Sequence, residues 1–576
     1  MARSLVGKSH LRPKLPALAA AASIIAASPG PTPITIVDLQ PDRTVARAEI
    51  RRAPDETGTA SLTNLNPHIN SWFVLTLDWP VSGEHESFHL ENPDPKNALT
   101  LSAKAPGSLR LEIGPNPCQL ELGSPAAPGT LEGARKSGLP YVPLCDGRLD
   151  LRNQAVGHGT ALEKVTDFLR KHVVGGEKFV TLVKKEVYRD KFLEEAAARA
   201  QSRSPVAPAE SPAPVVRDPT RASLGVVPPD LGIEIEAPTQ SMVEGDWYAV
   251  RDIANVFVSV MTPNTIAPAI LHDHSPSVSA LGPVESAALA YLVAFELGHF
   301  DLHYELGTDH PELGWSSRPP SASEDSRLPG PDGIDTAAPL ARTGMVNPIQ
   351  SPRTVAAFAA GFKRDHGAFR YGPFATRNHG SHYGFVEQGV IFSTLQPGLA
   401  TVWITQAGEV QLQTWTSQDS ALVPQIRDAR QNGVALIEYD ASQHKSSPGA
   451  WVNRWGEGNW SGSANQDLRT VRAGLCLQEA HGRRYLIYGF FSDATPSALA
   501  RVFQAYGCRY AMQLDMNALE HTYLALYLAR QDGRVVEHLI EGMAAVDQHS
   551  QGEFVPRFLS FPDDRDFFYL TRRSAP

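Results

Sequence analysis

The chain of 576 residues carries a formal net charge of −10, with 42% hydrophobic and 20% charged residues. This length suits about two to four globular domains, each with its own core. The acidic balance argues against a nucleic-acid partner, because proteins that bind nucleic acids present a basic face. The 45 glycines and 46 prolines indicate many turns, β-rich domains and at least one linker.

Residues 1–30 have the composition of a secretory signal peptide. The apolar run LPALAAAASIIAAS at residues 15–28 ends in small residues and follows four basic ones, Arg3, Lys8, Arg12 and Lys14. The run is short for a membrane span. We therefore expect a secreted or periplasmic protein with no transmembrane span in its mature chain. An uncleaved N-terminal membrane anchor is the alternative.

The four cysteines fall into an early pair and a late pair. Cys118 and Cys145 lie in one predicted domain, and Cys476 and Cys508 lie in another. In an exported protein, such local pairs predict two disulfides. The late pair sits in apolar strand-like runs, where buried thiols are an alternative. The spacing of the cysteines does not fit a zinc site.

Composition divides the rest of the chain. Short alternating strands separated by Pro and Gly predict a β-sandwich-like domain at residues 40–155. Residues 156–201 show helical periodicity, and the Pro/Ala/Ser-rich residues 202–230 predict an extended linker. In residues 240–576 strands alternate with a few helices. The expected fold class is α+β or mixed, with an N-terminal sandwich-like domain with helices and a C-terminal mixed α/β domain.

Two local patterns in the C-terminal region are well defined. TPSALARVFQAYG predicts a helix with Thr495 at its N-cap, Pro496 at its first position and Gly507 after its end. HTYLALYLARQDGRVVEHLI predicts a β-hairpin that turns at Asp532-Gly533. The helix leads the chain into the run CRYAMQLD, which has strand composition and ends at Asp515.

Six segments, in order, resemble landmarks of the phosphodiester glycosidase family, the relatives of an enzyme that removes N-acetylglucosamine from a phosphodiester. They are FAAGF (358–362), YGFV (383–386), PGLATVWITQAGEVQLQTW, ARQNGVALIEYD (429–440), LRTVRAGLCL (468–477) and SALARVFQAYGCRYAMQLD. The resemblance covers residues 287–540. It implies the fold of that family for the C-terminal region and a carbohydrate or glycosyl phosphodiester substrate. By position, it also implies functional roles for Arg469, Thr470 and Asp515.

Two family motifs are altered in this chain. Where the family has Asn-Gly-Gly-Phe, this sequence has Ala359-Ala360-Gly361-Phe362, which retains Gly361 but lacks the asparagine. The glycine run that follows Leu-Asp in the family is replaced by Met516-Asn517-Ala518. A glycine run lets backbone N–H groups approach an anionic group closely. We expect Asn517, Glu520 and His521 to replace the chemistry lost with the glycines, with Asn517 as a substrate-binding residue.

Polar residues cluster around Asp515. A carboxylate at a strand end is held rigidly by the core, and we expect its tip to meet solvent at the mouth of a cleft. Asp515 is the candidate general acid or base, and Glu520 is the candidate second carboxylate of a glycoside-cleaving pair. His521 would move a proton near neutral pH, and Arg469 would neutralise a phosphodiester. The alternative is that Asp515 and Asn517 only cap a loop.

Further candidates for substrate binding lie in two loops. The loop RNHGSHYG carries His379 and His382, and WVNRWGEGNWSGSANQD interleaves Trp455 with glycine and asparagine, a composition suited to stacking on sugars. A solvated loop and ordinary aromatic packing are the alternatives. The basic run after Phe362, which includes Lys363 and Arg364, would either meet phosphate or form a solvated face.

No cofactor is predicted. A divalent metal held by residues on and after one strand, namely Asp301, His303, Glu305, Asp309 and His310, is the less favoured alternative. Two functions remain. The first is an exported hydrolase acting on a glycosyl phosphodiester or a related cell-envelope glycan. The second is a non-catalytic carbohydrate-binding or structural envelope protein that retains the fold. The sequence does not indicate the oligomeric state.

Overall fold

The computed structural model describes residues 34–573, apart from residues 53–55, 106–107, 123–129, 160–198, 202–210, 222–223, 238–240, 274–275, 455–467, 532 and 551–552. The predicted signal peptide and most of the two predicted helical stretches lie outside the described residues. So do parts of the predicted linker, together with Trp455 and Asp532. None of the described helices is long and apolar enough to cross a membrane.

The expected α+β or mixed α/β fold class is wrong, because the protein is mostly β with several separate sheets. Among the described residues, 41% lie in strands and 14% in helices. All pairings between neighbouring strands within the described sheets are antiparallel. A mixed α/β domain needs parallel strands joined by crossover helices. Most strands here are joined by hairpins and loops instead.

The N-terminal strands form two sheets. A six-stranded sheet has the order β1-β2-β3-β4-β9-β8, and a three-stranded sheet has the order β5-β6-β7. Apolar side chains of both sheets, among them Leu75 and Leu111, share one core. The strands are β1 Thr44–Arg52, β2 Glu56–Asn64, β3 Trp72–Trp79, β4 Glu84–Glu91, β5 Leu99–Ala105, β6 Ser108–Ile113, β7 Asn116–Glu121, β8 Tyr141–Leu144 and β9 Leu149–Arg152.

The described part of the larger C-terminal region contains five sheets, of which three meet around the candidate site. The eight-stranded sheet has the order β13-β14-β15-β26-β25-β27-β23-β24. The β17 sheet has the order β16-β32-β17-β28-β29, and the β22 sheet has the order β19-β18-β22-β20-β21. Two smaller sheets are β10-β11-β12 and β30-β31.

The strands of this region follow in chain order. They are β10 Arg199–Gln201, β11 Leu224–Val226, β12 Met242–Val243, β13 Tyr248–Ala249, β14 Val256–Met261, β15 Ala290–Glu296, β16 Phe300–Glu305, β17 Thr354–Ala359, β18 Phe385–Glu387, β19 Val390–Ser393, β20 Ala400–Thr405, β21 Val410–Thr414, β22 Ile426–Gln431, β23 Ala435–Asp440, β24 Lys445–Pro448, β25 Thr470–Ala480, β26 Arg483–Ala494, β27 Tyr510–Met516, β28 Leu524–Arg530, β29 Gly533–His538, β30 Gln548–Ser550, β31 Glu553–Val555 and β32 Phe567–Arg572.

Helices are short. The predicted helix is confirmed as Pro496–Ala505, and the Thr495 hydroxyl caps it by accepting from the Ala498 N–H. The α-helices are α1 Leu131–Lys136, α2 Pro268–Leu271, α3 Pro283–Ala287, α4 Arg364–Gly367, α5 Asn378–Ser381 and α6 Pro496–Ala505. The 3₁₀ turns are Pro219–Arg221, Pro263–Thr265, Ser321–Ser323, Ser351–Arg353, Pro373–Ala375, Ser417–Gln425 and Glu541–Val546.

Both predicted disulfides are present. Cys118 bonds to Cys145, with Cα atoms 5.4 Å apart, and Cys476 bonds to Cys508, with Cα atoms 5.9 Å apart. The second bond joins β25 to the residues just before β27. Two disulfides fit a secreted protein, because such bonds persist in oxidising compartments.

A buried arginine joins the N-terminal strands to the C-terminal sheets. Arg152 on β9 donates to Glu91 at 2.6 Å and to Glu305 of β16 at 2.9 Å, and it lies 3.3 Å from Glu387 of β18. Burial raises the pKa of Glu305 and of Glu387. A raised pKa favours the protonated form, which limits the negative charge gathered around one cation.

A second buried arginine holds three sheets together. Arg430 of β22 donates to Asp566 Oδ2 at 2.7 Å, just before β32, and to the Phe362 carbonyl at 2.7 Å, just after β17. It also donates to Asn432 Oδ1 at 2.8 Å. The Asn432 amide in turn donates to the Gln513 and Leu514 carbonyls of β27. We call this set, Arg430, Asn432, Asp566 and the Phe362 backbone, the three-sheet junction.

We predict that Asp150→Asn stabilises the protein at pH 7 but not at pH 4. Burial, and then Glu91, raise the pKa of Asp150 to about 6. The folded protein therefore holds a proton that the unfolded chain releases near pH 3.8, so this group lowers stability as the pH rises from about 4 to 6. Removing the charge should raise the free energy of unfolding at pH 7 by about 2 kcal/mol. Urea unfolding at both pH values measures the change.

The exposed Asp335 provides a control for this measurement. Asp335→Asn should change stability by less than about 0.5 kcal/mol at either pH. A loss of stability at pH 7 in the Asp150 variant would mean that the ionised carboxylate is a net stabilising partner of Arg152.

We also predict that Gly361→Ala disrupts the three-sheet junction. A Cβ at this position would lie 2.4 Å from Arg430 Nη1 and 2.8 Å from Asn432 Oδ1. Both atoms are fixed by other hydrogen bonds, so the variant should lose about 2 kcal/mol or more of stability. The control is Gly298→Ala, where the added carbon meets only Glu296 Oε1 at 3.6 Å. Equal melting temperatures for the two variants would show that the junction can move aside.

Candidate functional site

Asp515 lies near the end of β27, a strand whose residues are all buried. We expected its tip to meet solvent, but only 5% of the residue is exposed. Its Oδ1 accepts from the Met516 N–H at 2.8 Å, and its Oδ2 accepts from Arg565 Nη1 at 2.6 Å. Arg565 reaches it from the loop before β32. The carboxylate is therefore held on both oxygens by groups from two sheets.

The three-sheet junction sets the electrostatic environment of Asp515. Burial raises the pKa of Asp515, while Arg565, the Met516 N–H and Arg430 oppose the rise, and Asp566 adds to it. Burial alone would also raise the pKa of Asp566, but Arg430 and His310 hold it below its ordinary value. Two neighbouring carboxyl groups therefore have pKa values pushed in opposite directions. Such a separation allows one group to carry a proton while the other stays ionised.

Thr470 and Asn517 lie beside the end of β27. The Thr470 hydroxyl donates to Asn517 Oδ1 at 3.2 Å, and the Asn517 N–H donates to the Val471 carbonyl at 2.8 Å. Asn517 has a φ of 83°, a left-handed conformation in which asparagine is tolerated better than most residues. These contacts bring the start of β25, and with it the exposed Arg469, to the same end of the sheet as Asp515.

Glu520 and His521 follow in a tight, buried turn. His521 Nδ1 lies 2.9 Å from the Met516 carbonyl, and its Nε2 lies 3.9 Å from Glu520 Oε1. Arg557 Nη1 donates to the Glu520 carbonyl at 2.7 Å and also pairs with Asp563. Both side chains are largely enclosed. The turn is thus fixed to the segment that carries Arg565.

The loop histidines have other partners among the described residues. His382 is buried, with its Nε2 3.0 Å from Gln396 Nε2 and 3.4 Å from Asp332 Oδ1. His379 is exposed, and its Nδ1 lies 3.0 Å from the Ser323 carbonyl. No described contact brings either histidine to Asp515. Tyr383, which follows His382 in the chain, has the Arg430 guanidinium 5.9 Å from its ring centroid. Its pKa is raised by burial and, to a smaller extent, by Asp515.

The basic run after Phe362 is buried and does not form a solvated face. Arg364 donates to Asp332 Oδ2 at 2.6 Å and to the Ser393 hydroxyl at 2.9 Å. Lys363 is 5% exposed, and its Nζ lies 3.7 Å from the carboxylate of Asp309. Arg364 and Asp332 therefore form a structural ion pair. Lys363 is a further cation close to the three-sheet junction.

The carboxylates and histidines of the candidate metal site contact other protein side chains. His303 Nε2 lies 3.0 Å from the Thr571 hydroxyl, Glu305 belongs to the Arg152 cluster, and His310 Nδ1 lies 2.8 Å from Asp566. Within the described ranges, no three His, Cys, Asp or Glu side chains are grouped to hold a metal ion.

The candidates predicted from the sequence do not include Arg565, the side chain that binds Asp515. Nor do they include the junction residues Arg430, Asn432 and Asp566 as part of the site, although ARQNG belongs to one of the family landmarks. Their signal was present: charged residues at positions 563–566 directly precede the apolar strand β32, and Arg430 interrupts a buried strand. A buried strand that carries a charge must supply it with a partner.

No protein-family model matches this sequence, and no curated protein matches it. Among solved structures, the chain is similar to the catalytic domain of zebrafish N-acetylglucosamine-1-phosphodiester alpha-N-acetylglucosaminidase, auto-inhibited by its pro-peptide. The identity is 9% and the TM-score 0.28, over 56% of this chain and 89% of that chain. It is also similar to an exported protein of Burkholderia pseudomallei (10% identity, TM-score 0.20, 51% and 76% covered) and to a hypothetical protein from Synechocystis (12%, 0.21, 87% and 97%). TM-scores this low support no inference about fold or activity.

Proposed function

We propose that the protein is an exported hydrolase that cleaves a glycosyl phosphodiester, with Asp515 as the group that transfers the proton. The observation that carries the proposal is the Asp515–Arg565 pair, a buried carboxyl group with a raised pKa fixed beside a cation at a strand end. Strongly perturbed carboxyl groups beside a charged partner are typical of catalytic sites.

In this reaction water adds across the bond between the sugar carbon and the phosphate oxygen. The oxygen of water forms the new bond to the sugar, and the phosphate oxygen leaves with a proton as a phosphomonoester. Protonated Asp515 would donate that proton, and Glu520 is the candidate base for the attacking water. Arg469 and Lys363 are the candidate cations for the phosphate charge, and Thr470 and Asn517 are candidates for sugar hydroxyls.

The second candidate is a non-catalytic carbohydrate-binding or structural envelope protein. One observation favours it: both oxygens of Asp515 already accept hydrogen bonds from the protein itself. A carboxylate held in this way can form a structural ion pair. Removing one member of such a pair leaves the charge of the other member buried.

We predict that Asp515→Asn lowers turnover of glycosyl phosphodiesters by about 100-fold or more, because an amide cannot donate the proton. The assay measures phosphomonoester release from a panel of such esters by the purified protein. Since turnover needs protonated Asp515, the wild-type rate should fall as the pH rises through the raised pKa of this group. The exposed Asp335 provides the control, and Asp335→Asn should retain full activity.

The structural contribution of Asp515 is separated by a double variant. Asp515→Asn alone removes the carboxylate that Arg565 binds at 2.6 Å and should cost about 3 kcal/mol of stability. Asp515→Asn combined with Arg565→Gln should recover much of that loss without recovering turnover. If the wild type cleaves no ester in the panel, or if the folded Asp515→Asn variant keeps its activity, the hydrolase proposal fails and the binding protein is the better assignment.

A further inference from the structure

A polar cleft lies at the opposite end of β27 from Asp515. Its volume is about 350 Å³, within the range of small-ligand sites. Tyr510, the first residue of β27, lines it together with the four residues Gln411–Thr414 of β21. Asp515 lies five positions after Tyr510 on this strand, a distance of about 16 Å. The cleft is therefore separate from the candidate hydrolytic site.

One wall of the cleft is an open strand edge. β21 is the last strand of the β22 sheet, and β20 is its one ladder partner among the described strands. The Trp415 N–H donates to the Leu399 carbonyl and the Thr405 N–H donates to the Glu409 carbonyl, so odd-numbered residues of β21 bond to β20. By the alternation of an antiparallel pair, the backbone groups of Val410, Leu412 and Thr414 point away from β20.

These outward-facing backbone groups are largely unused. Arg484 Nη2 donates to the Val410 carbonyl at 2.6 Å. Among the described residues, the backbone N–H and C=O groups of Leu412 and Thr414 make no hydrogen bond on this edge. Leu412 and Thr414 line the cleft, and a strand edge with unused backbone groups is a template for another extended backbone.

Charges of both signs flank the edge and sum to zero. Glu438 and Glu479 supply two carboxylates, and Arg484 and Arg509 supply two guanidinium groups. Glu438 Oε1 accepts from the Thr414 hydroxyl at 2.7 Å, and this hydroxyl lies 3.0 Å from the Tyr510 hydroxyl. Arg509 lies 4.2 Å over the Tyr439 ring and pairs with Glu479. These contacts fix the position of the charged groups.

We propose that this cleft binds a short extended peptide with free termini. The backbone of the peptide adds to β21 through the N–H and C=O of Leu412. Its carboxylate meets Arg484 and Arg509, and its ammonium group meets Glu438. A zwitterionic peptide matches both the strand edge and the paired opposite charges. A neutral saccharide would match the polar side chains but not the regular spacing of backbone donors and acceptors along a strand.

Isothermal titration of the full-length protein with trialanine tests the proposal, and saturable one-to-one binding is expected. Two altered ligands probe the contacts. Trialanine with an N-methyl group on its central residue loses the bond to the Leu412 carbonyl, and N-acetyl-trialanine amide loses both terminal charges. Each should bind about tenfold more weakly or worse, since hydrogen bonds to charged or buried partners are worth that much.

Protein variants identify the site. Glu438→Gln and Arg509→Gln should each weaken trialanine binding about tenfold while melting close to the wild type. Arg251→Gln, which removes an exposed arginine paired with Glu234, should bind as the wild type does. The proposal is overturned if trialanine does not bind, if the N-methyl ligand binds equally well, or if maltotriose binds in its place. None of these outcomes depends on whether phosphodiesters are cleaved.

Discussion

The architecture of the C-terminal region depends on the hydrogen bonds of one buried guanidinium group. Arg430 belongs to one sheet, and its partners Asp566 and the Phe362 carbonyl belong to the ends of strands in a second. Asn432 extends the set to β27 in a third sheet. A buried charge is costly unless it is paired and fully hydrogen-bonded. The sheets are therefore restricted to the arrangement in which all of these bonds form together, which is why Gly361 has no space for a side chain.

The same restriction explains where the candidate catalytic group lies. Asp515 sits one residue beyond the Leu514 carbonyl that Asn432 holds, and Arg565 sits one residue before Asp566. The ion pair is thus formed by the neighbour of a residue that Asn432 binds and by the neighbour of Asp566. Its geometry is fixed by the assembly of three sheets, whereas a group carried on a free loop would move independently. Preorganisation of this kind is what acid–base chemistry and rigid structural pairing both require.

Local signals were predicted well from the sequence, and long-range pairing was not. The α6 helix followed from Thr495, Pro496 and Gly507, all within the segment itself. The hairpin of β28 and β29 likewise followed from its own residues, and both disulfides from cysteine spacing and the signal-like N-terminus. The fold class was wrong because alternation predicts strands but does not say whether neighbours run parallel. Asp515 was found at a strand end, but Arg565 lies 50 residues further along the chain, and only folding brings the two together.

The disulfides also determine what a proteolytic cut would do. Cys476 and Cys508 are 32 positions apart, and the chain between them contains β26 and α6. Hydrolysis of any one peptide bond in this interval leaves both products joined through sulfur and held in place by sheet hydrogen bonds. The interval from Cys118 to Cys145 behaves in the same way. Outside the cell, where proteases are common, a single nick in either interval would leave the mass of the covalent molecule almost unchanged until the sulfur bridge is reduced.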